Sequence, residues 1–475
     1  MSDNKNRPPA GQFELAAEKS SRRDFLRFSA PAVGSFAVVD AFTGFLYRSS
    51  RAAAPKRSLG YGKMVPTVDE NTGLELLQLP EGFRYISHGW TGDTMSDGVT
   101  TPDRHDGMGV IGADGDQLTL CRNHEVEKAR KAFGPPSITY DNKCGGGCTK
   151  LTFNTKEGHW LKSWAGLSGT SRNCAGGPTP WGSWLSCEEI VGNISGDDKF
   201  DYSTDHGWIF EVPADKPTTA DPLRDMGCFI HEAVAVDPDT GYVYETEDNK
   251  TSAGFYRFIP KQKGILAKGG KLQMLSVAGR LDLRNGIRNG QTFDVSWVEI
   301  DDPRRGHSPG TMDFLGVFSQ GKRLGGSTFA RLEGLWYGNG VVYLVSTNGG
   351  DAENGQVWEY DPRTEQLRLV FESPSAKVLE KPDNVTVSPR GGIVLCEDGD
   401  LAPQRLQGLT PDGRLFPFAA NNVVLNGEKN GFKGDYRRQE WCGACFSPDG
   451  KWLFVNMQKP GITHAITGPW NDGGL

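Results

Sequence analysis

The sequence predicts an all-β chain, a β-propeller of six blades with an insertion between roughly 260 and 325, on three observations. Glycine, proline and tryptophan number 62, 28 and 12 among 475 residues. Few segments carry apolar residues at helical spacing without a Gly or Pro interrupting them, so strands must be short and turns frequent. One pattern also recurs six times: a turn rich in Gly, Asp or Pro, a short apolar strand, then a cluster of acids or amides.

The six instances are 113-ADGDQLTLCRNHE-125, 180-PWGSWLSCEE-189, 237-DPDTGYVYETED-248, 339-NGVVYLVSTNGGD-351, 390-RGGIVLCEDGD-400 and 448-PDGKWLFVNMQ-458. Successive clusters lie roughly 50 to 65 residues apart with one gap near 100, a period that suits blades of several strands. Segments such as 207-GWIFEVPAD and 356-QVWEYDPRTEQLRLV supply the middle strands and hairpins. The long gap holds the insertion, where 263-KGILAKGGKLQML and 293-FDVSWVEIDDPRRG add a hairpin and a loop. Residues 60–475 are therefore expected to form a single propeller. Because inner propeller strands run along a central channel, polar clusters at equivalent strand ends are expected to converge on the axis.

The first 54 residues carry a different signal. SRRDFLR, with Arg22 and Arg23, precedes a moderately apolar run broken by Pro31, Gly34 and Asp40, which resembles a twin-arginine export signal. The interruptions make it a poor match to the ~20 apolar residues of a membrane span. The expected partner is the twin-arginine translocation machinery and the expected location periplasmic or secreted, with no stable span after cleavage. That segment holds eight Lys/Arg and five Asp/Glu, so its removal takes the formal charge from −7 to −10. An acidic exported protein is a poor nucleic-acid binder; a monomer acting on a small molecule is expected. The nine cysteines include two close pairs, Cys144/Cys148 and Cys442/Cys445. Local disulfides or buried thiols are favoured over a four-thiolate zinc site.

Any one acidic cluster is ordinary turn chemistry. Glu125, Glu188, Glu189, Glu232, Glu247, Asp248, Glu397 and Asp398 at matching phases point instead to a converging acidic site. Carboxylates crowded on an axis repel one another unless cations neutralise them, and hard oxygen ligands suit Ca²⁺. Cys174, a soft ligand, implies a transition metal beside it. In 328-TFARLEGLWY, Arg331 and Glu333 are two apart and share a strand face, so the arginine can clamp a phosphate while the acid fixes an ion; a surface ion pair is the alternative. Asp383 and Asn384 before a strand contribute to the site or begin a turn. His124 and His231 are expected to be structural. No GxSxG elbow, HExxH or Walker loop is present, which weighs against serine hydrolases, zincins and nucleotidases.

The twin-arginine signal together with RNHE, NCAGGPTPWGSWLSCEE, HEAVAVDP, FARLEG, PDNVTVSP and FSPDGKWLFVNMQKPGITHAITGPW resembles the PhoX alkaline phosphatases and their shorter PhoX-like relatives, over roughly residues 60–475. The resemblance implies an exported six-bladed propeller that hydrolyses phosphate monoesters with Fe³⁺ and Ca²⁺ at its axis. It makes Cys174 an iron ligand, Arg331 the holder of the phosphoryl group and Glu333 a metal ligand. Glu125, Glu188 or Glu189, Glu232, Asp383 and Asp398 are the other ligand candidates. A phosphodiesterase or other ester hydrolase on the same metals, and a calcium-stabilised binding propeller without activity, are the competing expectations.

Overall fold

In the computed structural model, which describes residues 59–127, 130–192 and 202–475, six antiparallel blades surround one axis; the twin-arginine segment lies outside the described residues. The recurrent apolar strand is the second strand of each blade. Ser183–Glu188, Val243–Glu247, Val341–Ser346, Ile393–Glu397 and Trp452–Met457 are buried along their whole length. Neighbouring blades cover both faces, so these strands read as continuous apolar runs rather than as alternating ones.

Blade 1 is His105–Asp114, Gln117–His124, Gly146–Asn154 and His159–Thr170. Blade 2 has three strands, Asn173–Pro178, Ser183–Glu188 and Ile209–Pro213. Blade 3 begins at His231–Val236, blade 4 at Leu332–Gly338, blade 5 at Pro382–Val387 and blade 6 at Trp441–Phe446. Each of these six first strands packs on the next and the last packs on the first, which closes the ring. The N-terminal strand Arg84–His88 completes blade 6 by pairing with Ile462–Thr467, Ile86 opposite Ala465. Six apolar clusters fill the six gaps between blades. One joins Met108, Leu120 and Phe153 of blade 1 to Phe454 of blade 6, and another joins Trp441 and Leu453 to Val394 and Leu406 of blade 5.

The expected insertion is present with shifted bounds. Gly270–Val277 is an ordinary fourth strand of blade 3, with Met274 opposite Tyr256. The added element is Thr292–Glu299, which pairs with blade 3 at Val277↔Val295 and with blade 4 at Phe293↔Leu367. It welds the two blades into one nine-stranded sheet. The helix Gly316–Arg323 follows and buries Val317 and Phe318 against Met274 and Ile300.

The first strands lie very close together around the axis, and small residues permit it. A Cβ at Gly177 would meet the Val234 carbonyl oxygen of blade 3 at 2.0 Å, and one at Gly443 would meet the Asp106 carbonyl oxygen of blade 1 at 2.4 Å.

Asn123 ties blades 1 and 2 at this level. Its Nδ2 donates to the carbonyls of Cys174 and Ala175 at 3.1 and 2.7 Å. Its Oδ1 accepts from Trp184 Nε1 at 3.0 Å and Ser186 Oγ at 2.9 Å. Asn123→Ala strands these buried groups and should cost about 3 kcal/mol, read as a lower denaturant midpoint at unchanged m.

Candidate active site

The six first strands open on the same pattern: 105-HDG, 173-NCA, 231-HEA, 332-LEG, 382-PDN and 441-WCG. Each pairs with its second strand at the opening residue, and five then shift register at once, from His105 to Met108, Asn173 to Gly176, His231 to Val234, Leu332 to Leu335 and Pro382 to Val385. Blade 6 shifts between Cys442 and Cys445. A β-bulge at one level in every blade re-aims the residue beside it. The second residues are Asp106, Cys174, Glu232, Glu333, Asp383 and Cys442, all buried.

A second tier comes from the ends of the second strands. The backbone N–H groups of Glu125, Glu189, Asp248, Thr347, Asp398 and Gln458 donate to the carbonyls of Arg104, Arg172, Ile230, Arg331, Lys381 and Glu440, at 2.8 to 3.3 Å. This bond is made in all six blades and fixes the two tiers against each other. Four of the residues that accept it are basic, and Arg104, Arg172, Arg331 and Lys381 all have positive φ, between 45 and 54°. Left-handed backbone at bulky residues is strained and persists where the surroundings impose it.

The tiers bring ligand-type atoms together. Within each of four sets, the candidate atoms lie within 4.8 Å of one another: Cys174, Glu189 and Glu232; Glu232, Glu333 and Asp383; Asp383, Asp398 and Glu440; Asp106, Glu440 and Cys442. Glu232, Asp383 and Glu440 are shared, so the four sets form one linked series. Burial before all else pushes Glu189, Glu232, Glu333, Asp383, Asp106 and Glu440 well above the ordinary carboxylate range, and neighbouring carboxylates add to the rise. The Cys174 thiol is raised in the same way.

These residues fit metal ions. Both carboxylate oxygens of Glu232 and Oδ1 of Asp383 are buried without a hydrogen-bond partner, an expense that a coordinated cation removes. The oxygen-rich sets suit a hard ion with many ligands, whereas Cys174 beside Glu189 and Glu232 suits a thiophilic one. At the mouth, Arg331 sits above this acid set. Its Nε and Nη2 reach the two Asp248 oxygens at 3.0 and 3.2 Å, and Nη2 lies 2.5 Å from Glu333 Oε1. Glu333 most of all, together with Asp248, holds the guanidinium charged. Arg172 forms a second such node, 3.1 Å from Glu125 and 3.2 Å from Glu189.

The chain matches the family description "Alkaline phosphatase PhoX" over residues 59–163 and 150–461. It belongs to the PhoX alkaline phosphatase family. Its fold resembles that of Pseudomonas fluorescens PhoX in complex with vanadate, a transition state analogue, with a TM-score of 0.63 and 18% identity over 87% of this chain and 99% of that one. Two lactonase structures align less well. The gluconolactonase XC5397 of Xanthomonas campestris gives a TM-score of 0.42 at 12% identity over 88% of this chain and 99% of that one. A putative 6-phosphogluconolactonase of Bacteroides uniformis gives 0.32 at 11% over 73% and 76%. No curated protein matches the sequence.

Against this PhoX framework, the residues expected from sequence divide clearly. Cys174, Glu232, Glu333 and Asp383 occupy the inner tier, and Glu125, Glu189 and Asp398 the outer one. Glu188 does not belong with them. Its carboxylate turns away from the axis to accept from the backbone N–H groups of Ser171, Gly207 and Trp208 and from His206 Nδ1, at 2.6 to 3.1 Å. Adjacent strand residues face opposite ways, and register gives the axis to Glu189. Glu397 is likewise absorbed by Arg405, 2.6 Å away. His124 is bonded to Asp103 O and Thr149 Oγ1 and His231 to Gly227 O, as structural residues are. All nine cysteines are free and buried, without disulfides. Sequence reasoning missed Asp106, Glu440, Cys442 and Gln458. The signal was there: a small or amide residue after an acid or cysteine, at the head of each first strand.

Glu247 offers a pH test separate from the axis. Burial pushes its carboxyl up to about 8, against the pull of the Tyr256 hydroxyl at 2.6 Å and the Gly254 N–H at 3.0 Å. The folded state therefore keeps a proton that the unfolded chain releases, and stability falls as pH rises from about 4.5 to about 8. Glu247→Gln should remove on the order of 5 kcal/mol of that fall, seen as a flatter profile of Tm against pH.

Proposed function

We propose that this protein is an exported phosphatase that hydrolyses phosphate monoesters at the propeller mouth, with Ca²⁺ and Fe³⁺ held on the axis. The observation that supports this most is Arg331, partly exposed and clamped by Asp248 and Glu333, directly above the buried set Cys174, Glu189, Glu232, Glu333 and Asp383. Cys174 would hold the iron with Glu189 and Glu232, while Glu333, Asp383 and Asp398 offer oxygens for calcium. When bound, the ions supply Lewis-acid stabilisation of charge on the phosphoryl oxygens. The remaining work falls to the side chains. Asp248 grips Nε and Nη2 and so fixes the plane of the Arg331 guanidinium, which presents a planar fork to a tetrahedral anion. The inner tier is shut off from water, which strengthens each charge contact made there. Binding of vanadate by the structurally similar Pseudomonas fluorescens PhoX supports a phosphoryl-transfer site. The N-terminal 54 residues serve as the twin-arginine signal and residues 60–475 as one catalytic unit, acting as a monomer in the periplasm or outside the cell. No helix among the described residues is long and apolar enough to cross a membrane.

The test combines metal analysis with turnover of p-nitrophenyl phosphate. Wild type should carry iron and calcium and absorb visibly through its thiolate ligand, and Cys174→Ala should lose the iron, the colour and the activity. Calcium alone without turnover would overturn the assignment. Arg331→Ala should lower kcat/KM by about 10²- to 10³-fold and weaken inhibition by vanadate. Arg331→Lys, which keeps charge but not the fork, should recover only part of the loss.

A further inference from the structure

Away from the axis, between the connector that leads into the third strand of blade 1 and the segment that leads into the third strand of blade 2, lies a cluster that the phosphatase reading does not use. Asp141, Cys144 and His206 are buried, at 2%, 3% and 0% exposure, and their candidate ligand atoms fall within 4.8 Å of one another. The imidazole is aimed with care. Its Nδ1–H donates to Glu188 Oε1 at 2.6 Å, and Glu188 is itself held by three backbone N–H groups. That carboxylate fixes the ring so that Nε2 points at Cys144 Sγ and Asp141 Oδ2, each 3.5 Å away.

The 3.5 Å between Nε2 and Asp141 Oδ2 is beyond the usual N–H···O range of about 2.7 to 3.2 Å, while the 3.5 Å to Cys144 Sγ is an ordinary distance for a hydrogen bond to sulfur. Both match the edges of a coordination tetrahedron. Nitrogen, oxygen and sulfur ligands at roughly 2.0 to 2.3 Å from one ion lie about 3.3 to 3.6 Å apart. Asp141 is positioned independently, because its Oδ1 accepts from Lys143 N at 2.9 Å and its Oδ2 from Ser203 N at 2.6 Å. A carboxylate donating orientation to a histidine whose other nitrogen faces a thiol and a second carboxylate is the arrangement that surrounds protein-bound zinc.

We propose that Asp141, Cys144 and His206 bind one Zn²⁺, with water in the fourth position, as a structural pin between blades 1 and 2. The charge balances. Zn²⁺ displaces one proton from His206 Nε2 and one from the Cys144 thiol, both released to solvent, and the net charge of the buried group is unchanged. Sequence spacing favours a local disulfide or buried thiols for Cys144 and Cys148 over a four-thiolate zinc site with Cys442 and Cys445. The fold separates their roles, since Cys148 Sγ donates to Asn123 Oδ1 instead.

The experiment is zinc analysis and zinc-edge X-ray absorption on the full chain grown with zinc. Wild type and Cys174→Ala should each show one zinc with one sulfur and N/O neighbours, and Cys144→Ser should lose that equivalent of zinc and the sulfur shell. Absence of zinc from wild type, or a sulfur shell that survives Cys144→Ser, overturns the site. Should Cys144→Ser fail to fold, Cys174→Ala decides: a retained sulfur shell supports the pin, and a lost one assigns the zinc to the axis and overturns it. Since Cys174→Ala is also the variant expected to abolish phosphatase activity, zinc content and turnover report on the two sites separately.

Discussion

The structure turns on the burial of many carboxylates around one axis. Asp106, Glu189, Glu232, Glu333, Asp383 and Glu440 come one from each of the six blades, and water does not reach most of them. An unpaired carboxylate in such a place costs several kcal/mol. In a propeller each blade touches only its two neighbours, so the axis is the one region where distant blades share partners. Ions bound there would turn this repulsion into a cross-link shared by every blade.

The sequence showed the blades because the second strands are covered on both sides. A strand such as Ile393–Glu397 is buried throughout and therefore stands out as an apolar run that ends on acids. The first strands were much less legible, although they carry the inner tier. Each bulges immediately after its opening residues, which breaks the two-residue alternation, and 105-HDG or 382-PDN then looks like a turn. Glu232, Glu333 and Asp383 were reached through motif resemblance and pairing logic, whereas Asp106 and Cys442 had neither. Thr292–Glu299 was legible as part of an insertion, but not its role as a bridge, because its two partners lie in different blades.

Charge is layered along the axis, and the layering follows from a backbone detail. The residue before the first strand accepts the N–H that ends the second strand in all six blades, and in four of them it is basic with positive φ. The side chains of Arg104, Arg172 and Arg331 reach acids of the two tiers, whereas Lys381 pairs with the exposed Asp400. Four strained long side chains at one level are costly, and the acids below repay part of that cost: Arg331 through Asp248 and Glu333, Arg172 through Glu125 and Glu189. With cations above and metal ions held by the carboxylates below, a ligand between them would have to be anionic and rich in oxygen. A phosphate ester meets both demands.

The neighbouring residues Glu188 and Glu189 show how a structural and a functional role occupy one dipeptide. Glu189 faces Arg172 and the axis, while Glu188 faces His206 and takes the Ser171 N–H at 2.8 Å. Ser171 and Arg172 immediately precede the strand that delivers Cys174. Glu188 thus anchors the chain on which both Arg172 and Cys174 are mounted, and also holds a histidine whose far nitrogen faces Asp141 and Cys144. Whatever holds His206 in place reaches the axis through its hydrogen bond to Glu188, which is one peptide bond from Glu189 and binds Ser171 three residues before Cys174, so the periphery between blades 1 and 2 is part of what keeps the thiol of Cys174 in register with Glu189 and Glu232.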